Sequence, residues 1–245
     1  MLSLKTLPYL HRQPHSPFVS LRSRSSSFTF SARAMASAVE HVVLFKVRDS
    51  TDPSVVDSMV THLRSLSSLP GVAHLSAGPL LRPRSAAAAP FTHLLHSRYA
   101  SKGDLASYAA DPAHLAIVRD RVLPICDDIV ALDWVADGVA PAPVPPGSAA
   151  RLTLAKLNEG AAPGQVVEAM AAARAKGYDV SYGENFSPAR AKGYSLGFLA
   201  VFPSVEAIDA IDGGEAEALK EKVRPLLESV MVADFVVSAP PAASL

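Results

Sequence analysis

Histidines are the residues of this 245-residue chain that are best suited to acid–base chemistry, and they are unevenly distributed. Six of the eight lie between His41 and His114, and none follows His114. His114 follows Pro112 near the start of a predicted helix, where a neutral imidazole could act as a general base near pH 7. Tyr108 lies just upstream, and its phenol could donate a hydrogen bond to a carbonyl or a developing enolate. The alternative is that this His and Tyr bond to each other and lock a helix onto a sheet.

Other features of the composition exclude several classes of function. Cys126 is the single cysteine, which excludes an internal disulfide framework and a cysteine-based zinc site. The 23 basic and 23 acidic residues give a net charge of zero, so the composition does not predict a nucleic-acid partner. No run of about 18 apolar residues occurs, so no membrane span is predicted.

The zero net charge hides a basic N-terminal segment, residues 1–36, which contains no acidic residue and is rich in Ser and Pro. Its basic residues are Lys5, Arg12, Arg22, Arg24 and Arg33. This composition predicts an organellar transit peptide, for a plastid rather than a mitochondrion, and the alternative is a disordered basic tail. A product begun at Met35 would lack the leader. Its alternative location is the cytosol or the peroxisome, since the C-terminal Ala-Ser-Leu faintly resembles a peroxisomal tripeptide without its central basic residue. Without the leader the chain is mildly acidic.

The elements that must position these residues form two similar halves. The Pro-rich stretch VAPAPVPPG (139–147) predicts a semi-rigid linker between residues 38–138 and 148–240. HVVLFKV (41–47) corresponds to RLTLAKL (151–157), with Lys46 matching Lys156. RVLPICDDIVALDWV (121–135) corresponds to KVRPLLESVMVADFV (222–236) at a constant offset of 101.

Each half predicts the order β-α-β-β-α-β, which is typical of the ferredoxin-like split βαβ arrangement. Such a repeat is a four-stranded antiparallel sheet with helices on one face, so its other face must be covered. We expect the two sheets to face each other as an α/β barrel of the α+β class. The alternative, a sheet left to find an outside partner, would expose a large apolar surface.

Three segments of the first repeat resemble the stress-responsive dimeric α/β-barrel domain family of plants: EHVVLFKV (40–47), FTHLLHSRY (91–99) and YAADPAHLAIVRDRVLPICDDIVALDW (108–134). The first repeat resembles the family over its whole length, and the second repeat resembles it more weakly. Single-domain relatives dimerise to complete the barrel, which implies that this tandem form completes it within one chain. The resemblance also implies a broad role in stress response.

The resemblance further implies candidate site residues. One single-domain relative, olivetolic acid cyclase, closes a polyketide ring by aldol condensation, which gives His114 the role of base and Tyr108 that of orienting phenol. His41 and His93 match ligand-pocket positions. Some relatives hold a magnesium-type cation on backbone carbonyls after the first helix, which implies a weak magnesium site and no other cofactor. The matching carbonyls are those of Leu66, Leu69 and Val72, and the alternative there is a hydrated helix end.

Three functions therefore remain open. The leading hypothesis is a stress-response protein whose cavity, in the first repeat, binds a small apolar or phenolic ligand. The second is a polyketide-cyclase-like lyase that uses His114 and Tyr108, and the third is a structural, heat-tolerant assembly protein. A cavity lined by these two residues with His41 and His93 would favour binding or catalysis. We expect neither a nucleic-acid nor a membrane partner, and association of two barrels as a homodimer stays open.

Overall fold

The computed structural model describes residues 37–175, 179–211 and 215–239. The predicted leader, the alternative start at Met35 and the C-terminal tripeptide lie outside the described residues. The strands are β1 (Ser37–Val47), β2 (Val72–Pro83), β3 (His93–Tyr99), β4 (Cys126–Asp137), β5 (Ala149–Leu157), β6 (Asp179–Glu184), β7 (Leu196–Phe202) and β8 (Leu227–Val236). The helices are α1 (Pro53–Ser65), α2 (Lys102–Ala110), α3 (Pro112–Ile117), α4 (Pro163–Ala175), α5 (Val205–Ile211) and α6 (Glu215–Val223).

Each repeat forms one antiparallel sheet, with strand order β4-β1-β3-β2 in the first and β8-β5-β7-β6 in the second. The order follows from two β-α-β units wound into one sheet, so the predicted ferredoxin-like fold is confirmed. Strand β2 continues the sheet into β8, where Leu80 pairs with Phe235. At the opposite edge, Trp134 of β4 forms a β-bridge to Asn185 after β6. The eight strands thereby enclose a barrel within one chain, as expected from the resemblance.

The barrel has two seams between the repeats: one joins β2 to β8, and the other joins β4 to the β6–β7 hairpin. Trp134 closes the second seam because two glycines leave room for its indole. Gly183 and Gly197 pair across β6 and β7. A Cβ on Gly197 would lie 2.4 Å from the indole Cε3 atom, and one on Gly183 would lie 2.6 Å from the Val135 carbonyl oxygen. The indole Nε1–H donates to Ser181 Oγ at 3.0 Å, so the buried ring keeps its one polar group bonded.

Strand alternation divides the apolar residues of the first repeat between two cores. Val42 and Leu44 point into the barrel, where side chains from both repeats pack together. Val43 and Leu95 point to the other face and pack against the helices. His41 shares the helix-facing side of β1, because it lies two residues before Val43. Most of the barrel interior is therefore apolar packing, and His41 lies on the other face of the sheet, beneath the helices.

A buried polar cluster interrupts the barrel core beside the linker. His96 Nε2–H donates to Glu40 Oε2 at 2.6 Å, and Arg98 Nε–H donates to Glu40 Oε1 at 2.9 Å. His74 packs against His96 with ring centroids 5.0 Å apart. The linker bonds to the same cluster, since the Val144 amide donates to His74 Nδ1 at 3.3 Å. These contacts fix the Pro-rich segment 139–147 against the first repeat.

Candidate functional site

A break between two helices brings Tyr108 and His114 together. Asp111 ends α2 and its side chain accepts from the Ala113 amide at 2.8 Å, which caps α3. Pro112 occupies the first turn of α3, where its missing N–H costs no helix hydrogen bond. The turn places the two rings with centroids 4.6 Å apart at an interplanar angle of 45°. The predicted pair is therefore a contact in the folded protein.

The hydrogen bonding of His114 favours the tautomer that a base requires. Its Nδ1 lies 3.2 Å from the Ala109 carbonyl oxygen, which can only accept, so Nδ1 carries the proton. Nε2 then keeps its lone pair. Burial lowers the pKa of His114, and the charges of His41 and Arg190 act in the same direction. The half-buried imidazole is consequently neutral at pH 7 and able to accept a proton or a hydrogen bond.

Two phenol rings, tilted against each other by 52°, lie behind the imidazole. The Tyr108 ring is 2% exposed and its centroid lies 5.3 Å from that of Tyr99. The Tyr99 hydroxyl is 3.0 Å from Ser97 Oγ, so the pair belongs to a hydrogen-bonded group under the helices. Burial raises the pKa of both phenols above the ordinary value of tyrosine. Both therefore remain protonated and can donate hydrogen bonds at any physiological pH.

His41 is buried within the cluster and bonds to Asp133, an acid that sequence reasoning missed. Its Nδ1–H donates to Asp133 Oδ1 at 2.5 Å, and both side chains are almost fully buried. The His41 ring meets Tyr108 edge-on, with centroids 6.2 Å apart. The signal for Asp133 was available, since an acid within the apolar run IVALDWV of β4 requires a buried partner.

The second repeat covers this site through residues 185–190, here called the covering segment. The Asp133 amide donates to Asn185 Oδ1 at 3.2 Å, and the Phe186 amide donates to the Asp133 carbonyl oxygen at 2.9 Å. Arg190 Nη2 lies 3.7 Å from Asp133 Oδ2. Although burial opposes its charge, the hydrogen bond from His41 and the Arg190 charge hold the pKa of Asp133 below its usual value. Both repeats therefore build the site.

Comparison with known proteins identifies the family. The model of the stress responsive A/B barrel domain matches residues 39–136 and again 149–237. The chain belongs to the stress-responsive A/B barrel family. It is 43% identical over 223 residues to one stress-response A/B barrel domain-containing protein of Arabidopsis thaliana, covering 87% of this chain and 84% of that protein. It is 39% identical over 208 residues to a second such protein of the same plant, covering 83% and 98%.

A solved structure supports the tandem A/B barrel fold over most of the chain. An anthrone oxidase-like protein superposes with a TM-score of 0.55 and 13% identity, covering 86% of this chain and 97% of that chain. At this identity the likeness shows the fold alone. No helix among the described residues of this A/B barrel is long and apolar enough to cross a membrane.

The structure does not bring His93 to the other predicted site residues of the A/B barrel. On neighbouring strands, His41 pairs with Ser97, whereas His93 pairs with Phe45. The two histidines are therefore separated by four positions along the sheet, or about 13 Å. His93 Nδ1 instead lies 2.9 Å from Thr92 Oγ1. Both histidines face the helices, but they lie in different parts of that face.

The three carbonyls proposed for magnesium are partly engaged. The Leu66 carbonyl accepts from the Leu69 amide at 3.1 Å, and the Leu69 carbonyl accepts from the Val72 amide at 3.3 Å. Each of those oxygens therefore has one lone pair left for a cation. No group of three or more His, Cys, Asp or Glu side chains that could hold a metal occurs among the described residues. The residues thus fit a magnesium ion poorly, and the site stays a prediction.

The space around Tyr108 is filled by neighbouring rings, and two cavities lie elsewhere in the A/B barrel. One, of about 480 Å³, opens near Lys46 at the end of β1. The other, of about 330 Å³, lies between α4 and α6 beside Glu168 and Lys222. Neither is lined by the His114 cluster. A ligand of that cluster would have to approach the half-buried edge of His114 and move the rings behind it.

Proposed function

We propose that the protein acts in the stress response by binding a small phenolic ligand at the His114–Tyr108 pair of the first repeat. The observation that carries this proposal is the complementary hydrogen-bonding capacity of the pair. Nε2 of His114 keeps a lone pair, and the Tyr108 hydroxyl stays protonated. A phenol, which is both a donor and an acceptor, can bond to both groups while its ring stacks on Tyr108.

The partial exposure of His114 supports entry at one edge of the cluster. His41 and Tyr108 are buried, whereas His114 is half-buried beside the exposed Leu115. The charge of Arg190 in the covering segment lowers the pKa of His114, so this segment of the second repeat acts on the exposed edge of the imidazole. A ligand entering there would meet the imidazole first and the phenol behind it.

Thermal shift and calorimetry with a panel of alkylphenols and their methyl ethers test this proposal. We expect stabilisation that grows with the logarithm of phenol concentration and is weaker for the ethers, which cannot donate to His114. His114→Ala and Tyr108→Phe should both weaken binding, while His62→Ala on α1 should leave it unchanged. Binding should also weaken at acid pH, because protonated His114 no longer accepts a hydrogen bond. A panel without any binder, or full binding by His114→Ala, would overturn the proposal.

The same tautomer favours a second candidate, a cyclase-type lyase. Nε2 of His114 would remove a proton from the carbon between two carbonyls, and Tyr108 would donate to the enolate oxygen that forms. The enolate carbon would attack a second carbonyl of the same molecule, and the resulting alkoxide would take the proton back. Product analysis with a linear polyketide-like substrate distinguishes the two functions. Binding without ring closure supports the ligand-binding role, and ring closure abolished by His114→Ala supports the lyase.

The dense packing of Tyr108 favours a third candidate, in which the pair only holds the helices onto the sheet. In that case no compound of either class binds, and the only effect of His114→Ala and Tyr108→Phe is a loss of stability.

For location, we propose that residues 1–36 direct the protein to plastids. Fluorescent fusions begun at Met1 and at Met35 test this, with plastid fluorescence expected for the first alone. The same compartment for both would contradict it.

A further inference from the structure

The cavity of about 480 Å³ opens between the two repeats, at the end of the barrel where β1 and β5 finish. Lys46 of β1 and Lys156 of β5, which occupy matching positions in the two repeats, both line it. Its volume lies within the range of small-molecule sites in proteins, roughly 300–1,000 Å³. It is also remote from the cluster under the helices, because it enters the barrel from the opposite face of the first sheet.

The floor of this cavity is part of the core between the sheets. Phe91, Val130 and Met231 line it, and their side chains are 6%, 1% and 4% exposed. Tyr194 forms a wall, with its hydroxyl 3.2 Å from Ser229 Oγ. These side chains lie just beneath the opening and present almost no surface to solvent. Such a floor favours an apolar ligand body.

The rim is charged, and its lysines differ in how firmly they are paired. Lys156 Nζ lies 2.7 Å from Glu228 Oε1, and Lys192 is bonded to Asp128. Lys46 Nζ is 4.0 Å from Asp127 Oδ2, and that carboxylate already accepts from Arg48 Nε at 2.9 Å. The Lys46 side chain is 42% exposed. Its ammonium is therefore the rim cation that is most able to bind an anion.

The turn at residues 191–194 positions Lys192 and Tyr194 at the cavity. Lys192 has φ of 51° and Gly193 has φ of 86°, both in the left-handed region. A Cβ on Gly193 would lie 2.8 Å from Cε of Lys156. The glycine thus serves the turn and lets the Lys156 chain pass along it toward the cavity. A strained non-glycine residue beside a cavity is a recognised feature of functional sites.

We propose that this cavity is a second binding site, for a small organic carboxylate with an apolar body of about ten carbon atoms. The carboxylate would pair with Lys46 at the rim, and the apolar body would lie against Phe91, Val130 and Met231. Tyr194 and Ser229 supply hydroxyls near the head group. This site is independent of the His114–Tyr108 pair and of its proposed ligand.

Decanoate is the probe, with decanol as its uncharged analogue, and the folded full chain is the sample. Methyl-labelled methionine reports the location: Met231 lies in the cavity floor, while Met59 lies in the core beneath the helices. We expect decanoate to shift the Met231 signal and leave that of Met59 unchanged. Decanol should bind about fivefold more weakly, as for loss of one partly exposed ion pair. Lys46→Gln should remove that difference, and Lys220→Gln on α6 should keep it.

Different results would refute the carboxylate site and the phenol-binding function. His114→Ala should leave decanoate binding unchanged, whatever its effect on phenols. The carboxylate site is overturned if decanoate leaves Met231 unshifted, if decanol binds as tightly, or if Lys46→Gln changes nothing. Loss of decanoate binding in His114→Ala would also overturn it, because the ligand would then occupy the site beneath the helices.

Discussion

At Asp133 one carboxylate connects the candidate site of the first repeat to the segment that covers it. The side chain accepts from His41 and lies near Arg190, and the backbone bonds to Asn185 and Phe186. Arg190, Asn185 and Phe186 all belong to the second repeat. A single residue of the first repeat thus depends on the tandem arrangement for its partners.

We predict that Asp133→Asn destabilises the protein by about 2 kcal/mol, because the amide weakens both the buried, charge-assisted hydrogen bond from His41 and the attraction to Arg190. Asp127→Asn, on the same strand, is the matched control. Asp127 pairs with Arg48 and Lys46 at the surface, so its loss should cost about 0.5 kcal/mol. Urea unfolding measures both. Equal losses for the two variants would contradict the role given to Asp133.

His74 in the polar cluster of the barrel makes the stability of the protein depend on pH. Burial lowers the pKa of His74 to about 3, and His96 and Arg98 contribute while Glu40 opposes. Unfolded histidine titrates near pH 6.5, so the unfolded chain binds more protons below that pH. Stability is therefore fully present above pH 6.5 and is lost as the pH falls towards 3, by about 1.4 kcal/mol per unit.

Urea unfolding between about pH 7 and pH 5 tests this. The wild-type stability should fall across the range, and His74→Gln should reduce the slope by about one proton. Val55→Gln, at an exposed position of α1 that carries no titratable group, should retain the wild-type slope. Identical slopes in the two variants would show that His74 does not remain neutral in the folded state.

At the scale of the element, the seam between β4 and the β6–β7 hairpin depends on the glycine pair under Trp134. We predict that Gly197→Ala destabilises the protein by about 3 kcal/mol, since its Cβ would overlap the indole and only backbone movement relieves the clash. Gly164→Ala in α4 is the control, because nothing lies within 4 Å of its Cβ position. It should stabilise the protein slightly, by about 0.5 kcal/mol. Thermal unfolding followed by Trp134 fluorescence measures both, and an unperturbed Gly197→Ala would contradict this account of the seam.

The elements were predictable to the extent that local patterns determine them. Alternation and β-branched residues indicate the strands, and Asp52 followed by Pro53 is a recognisable start for α1. Tyr108 and His114 were predictable as a pair because only one helix break separates them. The sequence could not show that His93 lies far from His41. Alternation gives the face on which each side chain lies, but not the register between two strands. Asp133, Asn185 and Arg190 required knowledge of how two remote segments meet.

At the scale of the whole molecule, both seams of the barrel lie within one chain. The linker bonds to the cluster around His74 and Arg98, and it keeps the repeats at a high effective concentration. The apolar faces of Val42, Leu44, Leu132 and Trp134 are covered by the second repeat. A first repeat without its partner would expose this surface to water, which favours self-association.

We therefore predict that residues 37–138 alone associate into dimers that rebuild two seams from identical halves. Analytical ultracentrifugation should show dimers whose dissociation depends on concentration, and Trp134→Ser should weaken them because the indole fills the seam. The barrel of the full chain should unfold at a temperature independent of concentration over about a hundredfold range, since no second chain is needed to cover its core. A stable monomeric first repeat would mean that the helix-side core is sufficient for folding, and that the tandem duplication serves the covering of Asp133 rather than the stability of the barrel.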